Sequence, residues 1–477
     1  MMDFVKETID FAKINNVKYA DCRVVIIENE VIFIRNGKIE HIGKYFDKGF
    51  GVRVLVNGRW GFSASSRFSK SEIKRVVKNA IKLSKESAKV KGEEIRLSEE
   101  KPETGIYKTE YNEDPFKMKM KDKITYLMKC DKELSKVKGL TFRITHYHSK
   151  REHKFFGSTE GSFLEQEIMF TGGGIEAIAI ANGDVQVRSY PNSWGNYNQG
   201  GWEYLLSLDL LGNAVKTGEE AVMLLSAEQC PSGYFDLIIE PDQLALQIHE
   251  SVGHPLELDR VFGYEESYAG KSFATTEKLG NFRYGSEIVN IVADSTYPKG
   301  LGTFGWDDEG VKAQKNYLIK NGILVNYLSS RETAVKIGKK STGAMRASSY
   351  NRIPLVRMVN VNLEPGEWEY DKLIESTDNG IILKTNRSWS IDDRRINFEF
   401  GTQIGYLVKN GKIIKPLKNC VYSGITPEFW NSCDAICNSK YYKLICLTNC
   451  GKGEPGQSMY VGHASSPARF RNVKVGF

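Results

Sequence analysis

The chain opens on a helical pattern. Phe4, Val5, Ile9 and Ala12 recur on one side of residues 4–16, which predicts an amphipathic helix. The period then shortens. Apolar runs at Val24–Ile27 and Val31–Ile34 read as strands, and Asn36-Gly37 turns the chain back toward Ile39 and Ile42. Asn57-Gly58 gives the same hairpin signal between Val52–Val56 and Trp60–Phe62. At Ser69 a helix opens with Glu72 in capping-box position, and Ile73, Val76, Val77, Ala80 and Ile81 continue its apolar stripe.

Residues 91–114 are charged and lose periodicity, as a linker does. A second unit follows, with a helix from about Pro115 to Val137, Gly-punctuated antiparallel strands over 140–188 and a helix over 202–224. A third unit begins near Cys230, with one helix over 241–252 and then short strands and turns. The expected fold is α+β. N-terminal α/β units with antiparallel strands and helices cover 1–112 and 113–226, and a strand-rich C-terminal domain over 227–477 carries one metal-binding helix. A length of 477 residues agrees with several domains rather than one core.

Charge narrows the function little. The net +7 is a thin surplus of 66 basic over 59 acidic residues, too small to mark a nucleic-acid binder. Asp3, Lys6, Glu7 and Asp10 interrupt any signal-peptide core, and no run of about 18 apolar residues predicts a membrane span. A cytoplasmic protein with reduced thiols is expected. Five of the eight cysteines (Cys420, Cys433, Cys437, Cys446 and Cys450) crowd one end. Ser149–Lys154 reads as a solvated basic turn and His463 as a surface residue. Arg331 and Arg346 read either as holders of a substrate carboxylate or, more commonly for such residues, as partners of local acids such as Glu332, and Asp307, Asp308 and Glu309 as a turn or as supports for a ligand histidine.

The candidate chemistry lies in Pro241-Asp-Gln-Leu-Ala-Leu-Gln-Ile-His249-Glu250-Ser-Val-Gly253-His254-Pro255. Two histidines beside a glutamate on a helix resemble the His-Glu-x-x-His pattern of zinc peptidases, in which the histidines are four apart. Here they are five apart. A regular helix turns about 500° over five residues, leaving the side chains roughly 140° apart. One ion reaches both only if the helix forms a π-bulge or loosens at Gly253. A catalytic zinc takes three protein ligands and an open position. The third ligand is open among Glu257, Asp259 and Cys450, the last in a Gly-rich turn, Asn449-Cys450-Gly-Lys. Glu250 suits a general base. The rival reading is a structural zinc on Cys433, Cys437, Cys446 and Cys450.

Several segments together resemble the TldD branch of the TldD/PmbA metallopeptidases over nearly the whole chain. They are Gly49-Phe-Gly-Val-Arg-Val, Gly58-Arg-Trp-Gly-Phe62, His249-Glu-Ser-Val-Gly-His-Pro-Leu-Glu-Leu-Asp259, Gly302-Thr-Phe-Gly-Trp-Asp-Asp-Glu-Gly310, Tyr327-Leu-Ser-Ser-Arg-Glu-Thr-Ala334, Tyr406-Leu-Val-Lys-Asn-Gly-Lys-Ile413 and Asn449-Cys-Gly-Lys. The resemblance implies that His249, His254 and Cys450 bind one zinc per chain and that Glu250 is catalytic. It also implies a peptide or unfolded-protein substrate, and a homodimer or a heterodimer with a metal-free sister subunit. The chain departs from the pattern after Cys450-Gly-Lys, where extra residues precede Gly456-Gln457. The expected function is thus a zinc metallopeptidase using a metal-bound water activated by Glu250. The alternatives are a zinc amidohydrolase acting on a small amide and a non-catalytic zinc scaffold, and a scaffold has no need of Glu250.

Overall fold

The computed structural model describes residues 1–15 and 17–476. The helix end expected at Asn16 and the last residue of the third unit, Phe477, lie outside them.

Local sequence builds the first layer. Helix α1 (Met2–Ile14) buries Val5, Ile9 and Ala12 in a core shared with strand β1 (Tyr19–Arg35). β1 runs antiparallel to β2 (Lys38–Val56), and β2 to β3 (Arg59–Ser65). Both connections are two-residue turns with Asn and Gly at positive φ, 48° and 71° at Asn36-Gly37 and 50° and 69° at Asn57-Gly58. That conformation costs glycine nothing and matches the twist of the strands. α2 (Lys70–Ser87) starts where the Ser69 hydroxyl accepts the Glu72 N–H. The reciprocal half of the capping box is not made, because the Glu72 carboxylate is held by Ser65 and Arg75.

The stretch expected as a linker contains a strand, β4 (Thr104–Lys108), lying parallel to β6 (Phe163–Ala181). Its partner is too distant in sequence for local composition to reveal it. α3 (Met120–Leu134), preceded by a single 3₁₀ turn at Pro115–Lys117, packs beside β5 (Leu140–Ser158). β7 (Asp184–Tyr190) and β8 (Asn196–Gln199) complete an eight-stranded sheet in the order β3-β2-β1-β5-β6-β4, with β7 and β8 also on β6. β1 pairs with β5 from Asp21↔Ser158 to Arg35↔Ile144, so one sheet runs through both N-terminal segments. The helix expected over 202–224 is two, α4 (Trp202–Ser207) and α5 (Leu210–Ser226), broken where Asp209 takes φ 50° and caps the second.

The remaining residues form a second eight-stranded sheet, a four-stranded sheet and two two-stranded pairs. After β9 (Glu228–Gln229), β10 (Gly233–Ile239) lies between Asn379–Ile391, to which it is parallel, and Ala468–Val475. Cys420–Ile425 and Asn397–Lys409 continue from there, and Asn397–Lys409 pairs back to Asn379–Ile391, closing a ring of five strands. α6 (Pro241–Ile248) follows β10, with Leu244, Leu246 and Ile248 in the large core. The chain is thus α+β, with mainly antiparallel sheets. Among the described residues no helix is long and apolar enough to cross a membrane.

Buried ion pairs join the two halves. The basic stretch expected as a solvated turn is the middle of β5. There Lys150 meets Glu152 at 2.9 Å, and Lys154 meets Asp308 at 2.7 Å. Arg53 binds Asp21 at 2.7 Å and Glu309 at 3.2 Å, and Arg331 binds Glu160 at 2.7 Å and the Ser98 carbonyl. Asp307 accepts backbone N–H groups from Glu309, Val311 and Met345. These residues hold segments together, and none of them supports a ligand histidine.

Candidate metal centre

The helix that carries the two histidines changes its winding at the first of them. α6 ends at Ile248, and His249–Gly253 form a π-turn in which the His254 N–H bonds the His249 carbonyl. This i→i+5 bond brings residues five apart onto one side. Their rings lie 4.8 Å apart between centroids, nearly perpendicular at 89°. A 3₁₀ turn, His254–Leu256, with Pro255 in its first turn, then ends the element at Leu256. Helix ends leave carbonyls unpaired. Here the Tyr284 hydroxyl caps Ser251 O at 2.5 Å, and the Ser272 hydroxyl caps Pro255 O at 2.6 Å. Gly253 has a packing reason, since a Cβ there would lie 2.0 Å from the Met358 sulfur.

Cys450 arrives from the hairpin of Lys443–Lys452 with Gln457–Ser465. The register slips between Leu447↔Val461 and Cys450↔Met459, a bulge that re-aims the side chains after it. The Cys450 sulfur lies 3.8 Å from His254 Nε2. One ligand atom from each of His249, His254 and Cys450 falls within 4.8 Å of the others, and all three residues are buried. Burial alone would push the Cys450 thiol up, but the Arg357 guanidinium and His254 outweigh it and bring its pKa below the usual thiol value. Arg357 also donates to the Cys450 carbonyl.

Hydrogen bonds fix the tautomer of each histidine. His463 Nδ1 faces the Val361 carbonyl at 2.9 Å and therefore donates to it. Its Nε2 is then the acceptor for His249 Nδ1–H, also at 2.9 Å. This leaves His249 Nε2 with a free lone pair. His254 Nδ1 donates to Glu257 Oε2 at 2.9 Å, leaving its Nε2 free likewise. Such outer partners orient metal-binding imidazoles and raise their basicity. Burial also pushes the pKa of both His249 and His254 down, which favours the neutral, ligand-competent form. His463 is not a surface residue: it is fully buried, and burial pushes its pKa down to about 3.

The other ligand candidates are occupied elsewhere. Glu257 and Asp259 both bind the Lys452 ammonium, at 3.1 and 2.6 Å, and Glu265 lies 3.6 Å from it. Arg260 binds Glu265 at 2.8 Å. Burial alone would lower the Lys452 pKa, but Asp259, Glu257 and Glu265 outweigh it and raise it. The four-cysteine site does not form: Cys433, Cys437 and Cys446 pack in three separate apolar clusters.

Glu250, beside the first histidine, is held by Arg395, whose Nη1 lies 2.9 Å from Oε2. His249, Glu250, His254, Arg395 and Cys450 line one cavity of about 240 Å³, with Trp194 and Trp389 at its wall. The two indoles meet edge to face at 5.6 Å. The set combines two imidazole nitrogens, one sulfur and a carboxylate facing a common space, a donor set that suits a borderline-soft divalent ion.

Comparison with known proteins gives matches along nearly the whole chain. The family model of the PmbA/TldA metallopeptidase C-terminal domain matches residues 232–476, that of domain 1 matches 20–84, and that of the central domain matches 113–227. A metalloprotease of Methanocaldococcus jannaschii is 33% identical over 94% of this chain and 95% of its own length. A protein of Saccharolobus solfataricus named as a zinc metalloprotease TldD homolog is 25% identical over 96% of each chain. A solved Thermotoga maritima structure, described as a candidate modulator of a DNA gyrase, shares the fold at a TM-score of 0.80 and 20% identity, covering 99% of both chains. With three family models following one another along nearly its whole length, and a relative one-third identical to it throughout, the chain belongs to the PmbA/TldD metallopeptidase family.

Proposed function

We propose that the protein is a zinc-dependent peptidase in which His249, His254 and Cys450 hold one zinc ion and Glu250 is the general base. The observation that carries this reading is the π-turn: it gathers two imidazoles with free Nε2 atoms beside a buried thiol, in a cavity that also contains Glu250. The zinc named for the Saccharolobus relative supports the choice of ion. When bound, zinc supplies Lewis acidity that makes water a nucleophile near neutral pH and polarises a peptide carbonyl.

The chain's own groups do the rest. Arg395 fixes Glu250 Oε2, so Oε1 is the oxygen left to take a proton from the attacking water. The same carboxyl then passes that proton to the leaving amide nitrogen. His463 and Glu257 keep the two rings oriented, and Trp194 and the solvent-exposed Trp389 are side chains of the cavity wall that an incoming peptide meets. A solvent-accessible cavity of about 240 Å³ admits a short piece of an extended segment and excludes a folded domain, so unfolded chains are the substrates on this reading. By the same reading the protein works in the cytoplasm as a dimer, with a second copy or a metal-free sister subunit.

The test is Glu250→Gln. The variant should keep one zinc per chain and lose hydrolysis of a flexible peptide by at least 100-fold, the scale of a general base. Wild-type turnover by this variant would remove Glu250 from the mechanism, and an absence of zinc in the purified wild type would remove the ligand set.

A further inference from the structure

A second space adjoins the metal cavity. It is a groove of about 500 Å³ that spans the N-terminal sheet, lined by Val31 and Phe33 of β1, Ile144 of β5 and Ile175 of β6, with Trp194 at one end. Trp194 lines the metal cavity as well. The hairpin that carries Cys450 forms the other shared wall, because Thr448 faces the groove while its neighbours Leu447 and Asn449 face the cavity. That wall is fixed to the sheet. The Asn196 side chain at β8 donates to Leu444 O at 3.0 Å and accepts the Cys446 N–H at 2.9 Å.

The chemistry of the groove differs from that of the cavity. No lysine or arginine lines it, and Glu176 is its one acidic residue. Burial pushes the Glu176 carboxyl up and pushes His146 and His148 down to about 4. These two histidines are therefore neutral at pH 7, and a third, the exposed His41, also lines the groove. Mostly apolar walls around about 500 Å³ fall within the roughly 300–1,000 Å³ range of ligand pockets. A groove of mostly apolar walls with a single carboxyl binds aliphatic and aromatic side chains and disfavours acidic ones, which would lose their hydration beside Glu176.

We propose that this groove is a substrate subsite, taking the apolar side chains of an extended peptide whose scissile bond lies in the adjoining cavity. The proposal rests on the peptidase reading above and adds a preference to it: segments that a native protein buries are the preferred substrates, cleaved beside an apolar cluster.

The experiment compares two fluorogenic peptides that are identical except on one side of the cleaved bond. One carries Leu and Phe there and the other Ser and Asn, with both orientations tried. Zinc-loaded wild type should favour the apolar peptide by at least tenfold in kcat/KM. Phe33→Glu, which places a carboxylate in the groove away from the metal cavity, should bring the ratio within threefold of unity. Phe33→Leu should keep the preference. Zinc content of one per chain in each variant checks the fold. Equal kcat/KM for the two peptides in wild type, or a preference that survives Phe33→Glu, overturns the subsite while leaving hydrolysis standing. If neither peptide is cleaved, the peptidase reading falls, and fluorescence anisotropy of the same labelled pair decides the groove alone. A tenfold binding preference lost in Phe33→Glu supports it, and equal binding overturns it.

Discussion

His463 offers the sharpest test of the metal centre, because it touches no proposed ion and yet controls one of its ligands. Its Nε2 accepts the His249 Nδ1–H at 2.9 Å in a fully buried site. Replacing it with Leu keeps most of the volume and removes the acceptor. The buried Nδ1–H is then unsatisfied, at a cost of about 1–3 kcal/mol. His249 avoids that cost by moving its proton to Nε2, but this tautomer has no lone pair for an ion. Zinc binding must reverse that shift, and 1–3 kcal/mol corresponds to a roughly 5- to 150-fold weaker Kd. The range brackets the 10–100-fold loss typical of outer-partner removal. Three variants order themselves by what fills the gap. His463→Leu should bind zinc worst. His463→Ala should be milder, since a water fits the polar hole and accepts the proton. His463→Gln should be mildest, because an amide can accept from His249 and donate to Val361 O. Competition with a fluorescent chelator gives the Kd values, and circular dichroism checks the fold. Unchanged zinc affinity in a folded His463→Leu protein would refute the proton assignment.

Further outcomes follow from the same neighbourhood. Gly253→Ala should destabilise the protein by about 1–3 kcal/mol in urea titration, because its Cβ meets the Met358 sulfur in a filled core. Lys452→Met should cost more, about 3–5 kcal/mol, since it leaves Glu257, Asp259 and Glu265 with Arg260 as their nearest cation. Removing zinc with a chelator should abolish hydrolysis and lower the melting temperature, and restoring zinc at a thousand times its Kd should return about 4 kcal/mol of stability. Cys446→Ser, altering a buried thiol apart from the proposed ligands, should leave zinc stoichiometry at one, whereas Cys450→Ser should lower zinc affinity; both are read by metal analysis after dialysis.

Features with local causes were legible in the sequence. The Asn-Gly turns, the stripes of α1 and α2, and the strain implied by histidines five apart all arise within a few residues, and each has its counterpart in the structure. Features with distant causes were hidden. β4 is five residues long within a charged stretch, and its partner β6 is 59 residues away along the chain at Thr104↔Phe163. Lys150 and Lys154 look solvated until Glu152 and Asp308 are seen to bury with them. His463 sits 214 residues from His249, and nothing in its own segment announces a partner. In the structure the last five residues of its strand, Val461–Ser465, are all buried, so its ring needs an internal partner for each nitrogen.

The thiol that faces His254 stands 196 residues further along the chain. A ribosome adding roughly 5–20 residues per second needs about 10–40 s to cover that distance. Through that interval the π-turn segment exists without its sulfur, and β10 exists without its ring partner Ala468–Val475. A growing chain is itself an extended, unfolded polypeptide, the kind of substrate proposed here. If the proposed centre is the active one, dividing it between two distant segments keeps a chain from cutting itself until nearly all of the domain around that centre has been made.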